Sequence, residues 1–310
     1  MDEKQIIPTA EDIARVKGLG FLRDKTTPDC FNARVLTVNG RVTAQTMETV
    51  AAAARLFGNG YVGLTSRMTF EIQCIPYANI EAFLAYLQKH GLETGGTGPR
   101  VRPVVSCKGT TCQYGLIDTF SLSEKIHTRF YEGYHGVKLP HKFKIAVGGC
   151  PNNCVKPDLN DLGVIGQRIP AVNLDKCRGC KKCAVEAACP IKHARLDDGK
   201  ISIEPTHCNH CGRCIGKCPF GAVTENYVGY RVYIGGRWGK QVARGIPLDH
   251  ICRSEEEVLS LIEKCILLFR DQGTVGERFA DTVSRLGFDR VQAMLVSDDL
   301  LLRRAEILAE

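Results

Sequence analysis

The pattern of apolar and polar positions becomes informative at Phe31. Before it, residues 1–30 keep no period and contain Pro8, Gly18, Gly20 and Pro28, so they read as an N-terminal arm with one short helix at 11–17. FNARVLTV at 31–38 alternates as a strand does. Residues 42–57 repeat apolar side chains at helical spacing, with Met47, Val50, Ala51 and Ala54 on one face and GNG at 58–60 as the stop. Residues 61–75 read as a hairpin, and 78–90 as a second helix whose Ile80, Phe83, Leu84 and Leu87 follow the i, i+3, i+4, i+7 rule. Two helices and about three strands in this order predict a ferredoxin-like α/β half-domain over 31–98.

GGTGP at 95–99 is a linker, and VRPVVSC after it a strand that delivers Cys107. Ser121 and Glu124 form a capping box that opens a helix to about residue 131. Strands follow at 142–147 and 162–165. Residues 170–226 change character to cysteine, glycine and basic residues, and the strand pattern resumes at 229–239 as GYRVYIGGRWG, so the intervening stretch reads as an insertion. The chain closes with a helix at 254–271, capped by Ser254 and Glu257, and another over about 275–301. The fold class is α+β: the half-domain, then a second α+β domain over 99–169 and 227–310 with C-terminal helices, interrupted by the insert.

Composition narrows the chemistry. With 310 residues and 44% hydrophobic content, the chain can bury cores for two or three modules. No apolar run reaches the roughly 18 residues of a membrane span, and MDEKQIIPTAED has no apolar signal core, which makes the cytoplasm the default location. The 16 cysteines recur in pairs and triples, which points to metal ligands in a reducing compartment rather than to disulfides. A net charge of +7 suits an anionic ligand or an acidic protein partner. Nucleic acid is disfavoured, because the basic residues are scattered and aromatic content is 7%.

Cys208, Cys211, Cys214 and Cys218-Pro219 match the Cys-x2-Cys-x2-Cys-x3-Cys-Pro run of bacterial ferredoxins. Cys177, Cys180, Cys183 and Cys189-Pro190 repeat it with two extra residues before the last cysteine. Because the fourth cysteine of such a run serves the other cluster, Cys177, Cys180, Cys183 and Cys218 are expected to hold one [4Fe-4S] cube and Cys208, Cys211, Cys214 and Cys189 another. Zinc knuckles and buried thiols are the alternatives, and two triple runs each ending in Cys-Pro weigh against both. With eight cysteines sufficient, His207 and His210 read as hydrogen-bonding or surface residues. Two further tight pairs, Cys107 with Cys112 and Cys150 with Cys154, each follow a β-branched run and can converge on a third cluster. Cys30, Cys74, Cys252 and Cys265 lack partner spacing and read as buried thiols. Trp238 is expected in a core or an interface.

SRMTF at 66–70, VRPVVSCKGTTC at 101–112, LPHKFKIAVGGCPNNC at 139–154 and DLGVIG at 161–166 resemble the sirohaem-dependent sulfite and nitrite reductase family, most closely its anaerobic, dissimilatory-type catalytic subunits that carry a ferredoxin insert. The resemblance implies that Cys107, Cys112, Cys150 and Cys154 hold a cube and that Cys154 also bridges to the sirohaem iron. The Cys107-x4-Cys112 loop is one residue shorter than the family usually has. It further implies substrate-binding roles for Arg34, Arg67, Lys142 and Lys144. By pattern alone the two lysines are the solvent face of a strand. Arginine offers oxyanions a fixed fork and lysine a compact, tunable proton donor, which is what reduction of a small anion to water and product requires. Arg102, Lys108, Thr110, Thr111 and Asn152 are candidates for sirohaem carboxylates or the cluster loop, set against turn and surface roles.

The implied cofactors are sirohaem and three [4Fe-4S] clusters. The implied reaction is six-electron reduction of sulfite to sulfide, with nitrite to ammonia and a non-catalytic electron-transfer subunit as alternatives. Only one set of the family's motifs occurs where two related halves are usual, so a homo- or hetero-oligomer is expected. Without a Gly-x-Gly-x-x-Gly element, electrons are expected from a ferredoxin-like, flavin-linked or NAD(P)H-linked protein or subunit.

Overall fold

The computed structural model describes residues 7–309, so the first six residues of the expected arm lie outside the described residues. In chain order the elements are α1 (Ala10–Gly18), β1 (Phe21–Arg23), β2 (Cys30–Val35), α2 (Ala44–Phe57), β3 (Val62–Leu64), β4 (Phe70–Pro76), α3 (Ile80–Lys89), β5 (Val105–Ser106), α4 (Thr119–Ile126), β6 (Ile145–Gly148), β7 (Leu162–Val172), α5 (Ala184–Ala188), β8 (Ala194–Asp197), β9 (Lys200–Ile203), β10 (Val223–Ile234), β11 (Ile246–Cys252), α6 (Glu255–Gln272), α7 (Phe279–Leu286), α8 (Phe288–Val296), α9 (Asp299–Leu302) and α10 (Arg304–Ala309). The chain divides into two compact units. One comprises Met1–Ser106, Ser123–Ile145 and Lys264–Glu310, and the other Cys107–Leu122 and Ala146–Glu263.

The first unit contains an antiparallel sheet in the order β1-β2-β4-β3. Along β2, Phe31, Ala33 and Val35 are buried while Asn32 and Arg34 are only half buried, the alternation expected of a strand with one packed face. Helix α2 is capped by Thr43, whose hydroxyl accepts from the Thr46 amide at 3.1 Å. It buries Thr49, Val50, Ala53 and Ala54, so the expected face is rotated, and Met47 is 49% exposed. The reason is close approach: the small residues lie against the sheet, and at Gly58 a Cβ would come within 2.4 Å of the Gln73 carbonyl oxygen. Helix α3 buries Ile80, Phe83 and Leu87, with Phe83 edge-on to Phe21 and Phe57 at 5.8 and 5.7 Å. Each such side chain contributes about 1.5–3 kcal/mol by leaving water.

One helix start and one helix length differ from expectation. Helix α4 begins at Thr119, where the Asp118 carboxylate accepts from the Ser121 amide at 3.0 Å; the cap is therefore Asp118 and not Ser121. It continues through a π-helical turn, His127–Glu132. The single helix expected over 275–301 is broken, because Gly287 takes a φ of 85° that ends α7 and starts α8. Phe143 packs against Phe269 and Phe279, at 6.0 and 5.1 Å between ring centroids. The contact fixes the apolar side of the KFK segment.

In the second unit β7 and β10 form a long antiparallel pair, from Leu162↔Ile234 out to Val172↔Val223, with β11 on the far side of β10. Strand β7 runs on past the expected 162–165, while β10 starts before the expected 229–239 and ends at Ile234. Their paired ends carry the insert, because a chain leaving at Val172 and returning at Val223 needs no crossing of the sheet. The insert has its own small core, in which Val185, Ala194, Ile201 and Val223 surround cysteine side chains, and a hairpin of β8 and β9. Trp238 is 62% exposed and belongs to no core. Among the described residues no helix is long and apolar enough to cross a membrane.

Candidate functional site

The two tight cysteine pairs are brought together by backbone bonds. The Cys107 amide donates to the Val147 carbonyl at 3.1 Å, which sets it beside the strand leading to Cys150. The Gly149 amide donates to the Cys107 sulfur at 3.1 Å, and the Gly149 carbonyl accepts from Leu116 at 2.9 Å. The short loop closes through a 3-10 turn, Gly109–Thr111, with the Cys112 amide 3.2 Å from the Gly109 carbonyl. Burial pushes the Cys150 thiol above its ordinary value; an amide bond from Asn152 opposes this, and the thiols of Cys107, Cys154 and Cys112 stand near enough to add to it. Cys154 is exposed, and the other three are half buried.

Asn153, which the sequence reading passed over for Asn152, holds the Cys150–Cys154 turn. It takes a left-handed φ of 57°, and its side-chain amide donates to Asp158 at 2.7 Å, while Arg244 pairs with the other Asp158 oxygen at 2.6 Å. Its carbonyl oxygen is buried without a protein partner. The signal lay in the sequence, since asparagine tolerates the left-handed region better than most residues. Asn152 itself is exposed.

In the insert, Cys189, Cys208, Cys211 and Cys214 line one cavity with Pro190 and Ala194. The Cys214 thiol is pushed up to about 11, first by burial and then by Cys208, Cys211 and Cys189. Cys177, Cys183 and Cys218 pack into the insert core, and Cys180 is half buried. Amides of Gly179 and Ile201 lower the Cys177 thiol, the latter at 3.3 Å. Burial raises Cys189, but amides of Ala194, His193, Ile191 and Lys192 outweigh it and leave that thiol lowered. Thiolate is the form that binds iron, and amide donors around it stabilise the anion. Sulfur-only donor groups with amide donors fit iron–sulfur ligation.

A second pocket is lined by residues of both cysteine groups: Cys150 and Asn152 on one side, Cys211 and Arg213 on the other, with Tyr114 and Arg168. Arg213 stacks over Tyr114 at 5.1 Å. The Arg168 amide donates to the His210 carbonyl at 2.8 Å, and the buried His210 ring bonds Gln167 at 3.0 Å. That is the hydrogen-bonding role expected of His210.

The basic candidates lie in the first unit. Arg34 pairs across the sheet with Glu71 at 3.5 Å, both about a quarter exposed. The Arg67 guanidinium donates to the carbonyls of Pro103 and Ile145, the latter at 3.1 Å, and so ties together the segments that lead to Cys107 and Cys150. Burial lowers Arg102 to about 10; Arg34, Arg100 and Arg278 add repulsion, which Tyr131 partly offsets. Arg102 donates to the Gly96 carbonyl. Arg100 and Arg278 were not nominated from sequence, and nothing in the local pattern marks Arg278 as a buried residue. Lys142 and Lys144 are half buried on either side of the buried Phe143.

In the second unit, Thr110 donates to Asp118 at 2.7 Å and accepts from the Phe120 amide at 3.0 Å, while the Thr111 hydroxyl reaches the Lys108 carbonyl at 3.3 Å. These threonines make the turn, and Lys108 is exposed.

Residues 97–300 match the nitrite and sulphite reductase 4Fe-4S domain, and residues 23–90 the nitrite/sulfite reductase ferredoxin-like half domain. The chain belongs to the nitrite and sulfite reductase family. A coenzyme F420-dependent sulfite reductase of Methanocaldococcus jannaschii is 33% identical over 235 residues, which is 75% of this chain and 37% of that one. An uncharacterized protein of the same organism is 31% identical over 85% of this chain and 90% of its own. Among solved structures, dissimilatory sulfite reductase I superposes with a TM-score of 0.69 at 21% identity, covering 86% of this chain and 69% of that one, which shows a shared fold. The chain thus spans little more than a third of the F420-dependent relative's length. The α+β class and the ferredoxin-like half-domain followed by a 4Fe-4S domain are those of this reductase family.

Proposed function

We propose that the chain is a catalytic reductase subunit that reduces sulfite by six electrons to sulfide, with sirohaem and three [4Fe-4S] clusters as cofactors. The observation that carries this reading is the meeting of the thiols of Cys107, Cys112, Cys150 and Cys154 around an amide-to-sulfur bond, in a segment that matches the family's 4Fe-4S domain. When bound, the sirohaem iron supplies the site at which sulfur–oxygen bonds break. The protein's residues do the rest. Cys154, exposed, would be the thiolate that holds both the cluster and the macrocycle's iron. Arg34 and Arg67 hold the anion, Lys142 and Lys144 hold it and deliver protons, and Arg102, Lys108, Thr110, Thr111 and Asn152 serve the macrocycle's carboxylates or the cluster loop.

Cys177, Cys180, Cys183 and Cys218 hold one insert cluster, and Cys208, Cys211, Cys214 and Cys189 the other. The pocket shared by Cys150 and Cys211 supports the second of these as the neighbour of the catalytic cluster. Electrons arrive from a separate donor protein or subunit, ferredoxin-like or linked to flavin or NAD(P)H, in a homo- or hetero-oligomer. Domains run over 31–98 (half-domain), 99–169 with 227–310 (catalytic) and 170–226 (insert), and thiol ligands in this number suit the reducing cytoplasm.

The test is turnover of the anaerobically purified protein with reduced viologen, sulfite and nitrite compared side by side. Sulfide formation with a higher kcat/KM for sulfite is expected. Nitrite as the better substrate moves the assignment to ammonia formation, and turnover of neither removes the catalytic role.

A further inference from the structure

The hairpin of the insert carries a group of donors built differently from the cysteine sites. His193 immediately precedes β8 and Glu204 immediately follows β9. Since Ala194 pairs with Ile203, the two stand opposite each other at the open end of the hairpin, where the Glu204 amide donates to the His193 carbonyl at 3.3 Å. The chain then turns at Pro205, and the Cys208 amide returns to the Glu204 carbonyl at 3.1 Å. That turn brings His207 back over the hairpin. Its ring stacks on His193, 5.3 Å between centroids and 17° from parallel, and its Nδ1 lies 2.9 Å from Oε1 of Glu204. Ligand atoms from all three residues lie within 4.8 Å of one another.

We propose that His193, Glu204 and His207 form a binding site for one divalent d-block cation of the zinc type on the insert, separate from the cysteine sites. Two imidazoles and a carboxylate favour zinc, copper or nickel over calcium or magnesium, which take oxygen-rich sets. Bonds of 2.0–2.1 Å in a tetrahedral site put ligand atoms about 3.4 Å apart. The remaining contraction falls to side-chain rotation, because the backbone is already set by the hairpin register and the turn, and the side chains of Glu204 and His207 are 45% and 63% exposed. Three protein ligands leave a position for water, so the site is open.

By spacing alone His207 is a hydrogen-bonding or surface residue. What spacing did not reveal is that the hairpin returns His193 and Glu204 to it. A rival group, His250, Cys252 and Glu257, has the same donor count but a different character. Cys252 is fully buried with its thiol pushed up to about 12 by that burial, and Glu257 is committed to the start of α6, accepting from the Arg253 amide at 3.0 Å.

The site has a structural consequence. His193 follows shortly after Cys189 and His207 directly precedes Cys208, and these two cysteines line one cavity. A bound cation clamps the two segments that carry them. The inference rests on the hairpin and stands whether or not the protein reduces sulfite.

The full chain with its iron–sulfur sites loaded is passed over a chelating resin, titrated with zinc, and desalted. One zinc per protein is expected to be retained, with nitrogen and oxygen ligation and imidazole scattering at the zinc absorption edge. Glu204→Gln and the double variant His193→Ala/His207→Ala are expected to weaken retention at least tenfold, with iron and acid-labile sulfide unchanged. Failure to retain zinc, a sulfur shell at about 2.3 Å, or unchanged retention in the double variant overturns the proposal. Should the double variant lose iron, the isosteric Glu204→Gln decides, and unchanged zinc affinity there overturns it equally.

Discussion

Gly109 and Gly149 pass so close that a Cβ on Gly149 would lie 2.7 Å from the Gly109 Cα, and one on Gly109 2.8 Å from the Gly149 Cα. At Gly149 the nearest neighbour is this backbone atom, so no side-chain rotation relieves the clash there. This approach is what lets the Gly149 amide reach the Cys107 sulfur and gathers both cysteine pairs. Gly149→Ala is therefore expected to cost about 1–3 kcal/mol by overpacking and to lower iron content by as much as one cluster. The denaturation midpoint and iron per protein report the two effects separately.

Asp158 is expected to act as the anchor of the Cys150–Cys154 turn. It is buried, and it holds both the Asn153 side-chain amide and Arg244. Asp158→Ala strands the Asn153 donor and costs about 1–3 kcal/mol. Asp158→Asn, which keeps an acceptor oxygen, is expected to lose less. The two denaturation midpoints give the comparison.

Cys211→Ser is expected to remove about four iron atoms per protein, one cube's worth, while leaving the extractable macrocycle in place. Iron loss accompanied by loss of the macrocycle would place Cys211 in the sirohaem-linked set instead.

Glu277 holds the start of α7. Its two carboxylate oxygens receive Arg285 at 2.9 and 2.8 Å, with further bonds from Thr274 and Thr282. Arg285 foremost keeps this carboxyl at about 2 against the usual 4.5, although burial works the other way. A depressed folded-state value means stability that is fully present above pH 4.5 and lost as pH falls toward 2. Glu277→Gln is thus expected to lower the thermal midpoint at pH 7, and the gap to the unchanged protein to narrow between pH 4.5 and 3. A gap independent of pH would remove the ion pair from the account.

Much of the architecture was legible because its causes are local. The helix over 80–89 follows from the spacing of Ile80, Phe83 and Leu87, and ligand runs such as Cys208-x2-Cys211-x2-Cys214 are written in covalent spacing. What failed had a non-local cause. The face of α2 turned away from Met47 because alanines, not the largest side chain, meet the sheet closely. Asp118 displaced Ser121 as the cap, since both residue types make good caps and only the path of the preceding loop chooses. The break at Gly287 is a backbone conformation that a continuous apolar period conceals. Within the site, the pairing of Arg34 with Glu71 and the grip of Arg67 on two carbonyls depend on strands far apart in sequence. Pattern gave the residues but not their partners.

Lys144→Met separates the proposed anion-holding role from folding. Phe143 remains packed against Phe269 and Phe279, so the variant is expected to keep its iron and macrocycle while kcat/KM for sulfite falls at least tenfold. Full turnover in that variant takes the lysine out of the mechanism.

The central claim, that the four thiols of Cys107, Cys112, Cys150 and Cys154 serve a cluster joined to sirohaem, is tested most directly by the chromophore. The protein is purified without oxygen, its iron and acid-labile sulfide are counted, and the macrocycle is extracted into pyridine. One isobacteriochlorin per chain, lost in Cys154→Ser while the insert's iron remains, is the predicted result. A full iron complement with no isobacteriochlorin would contradict the account and leave an electron-transfer subunit.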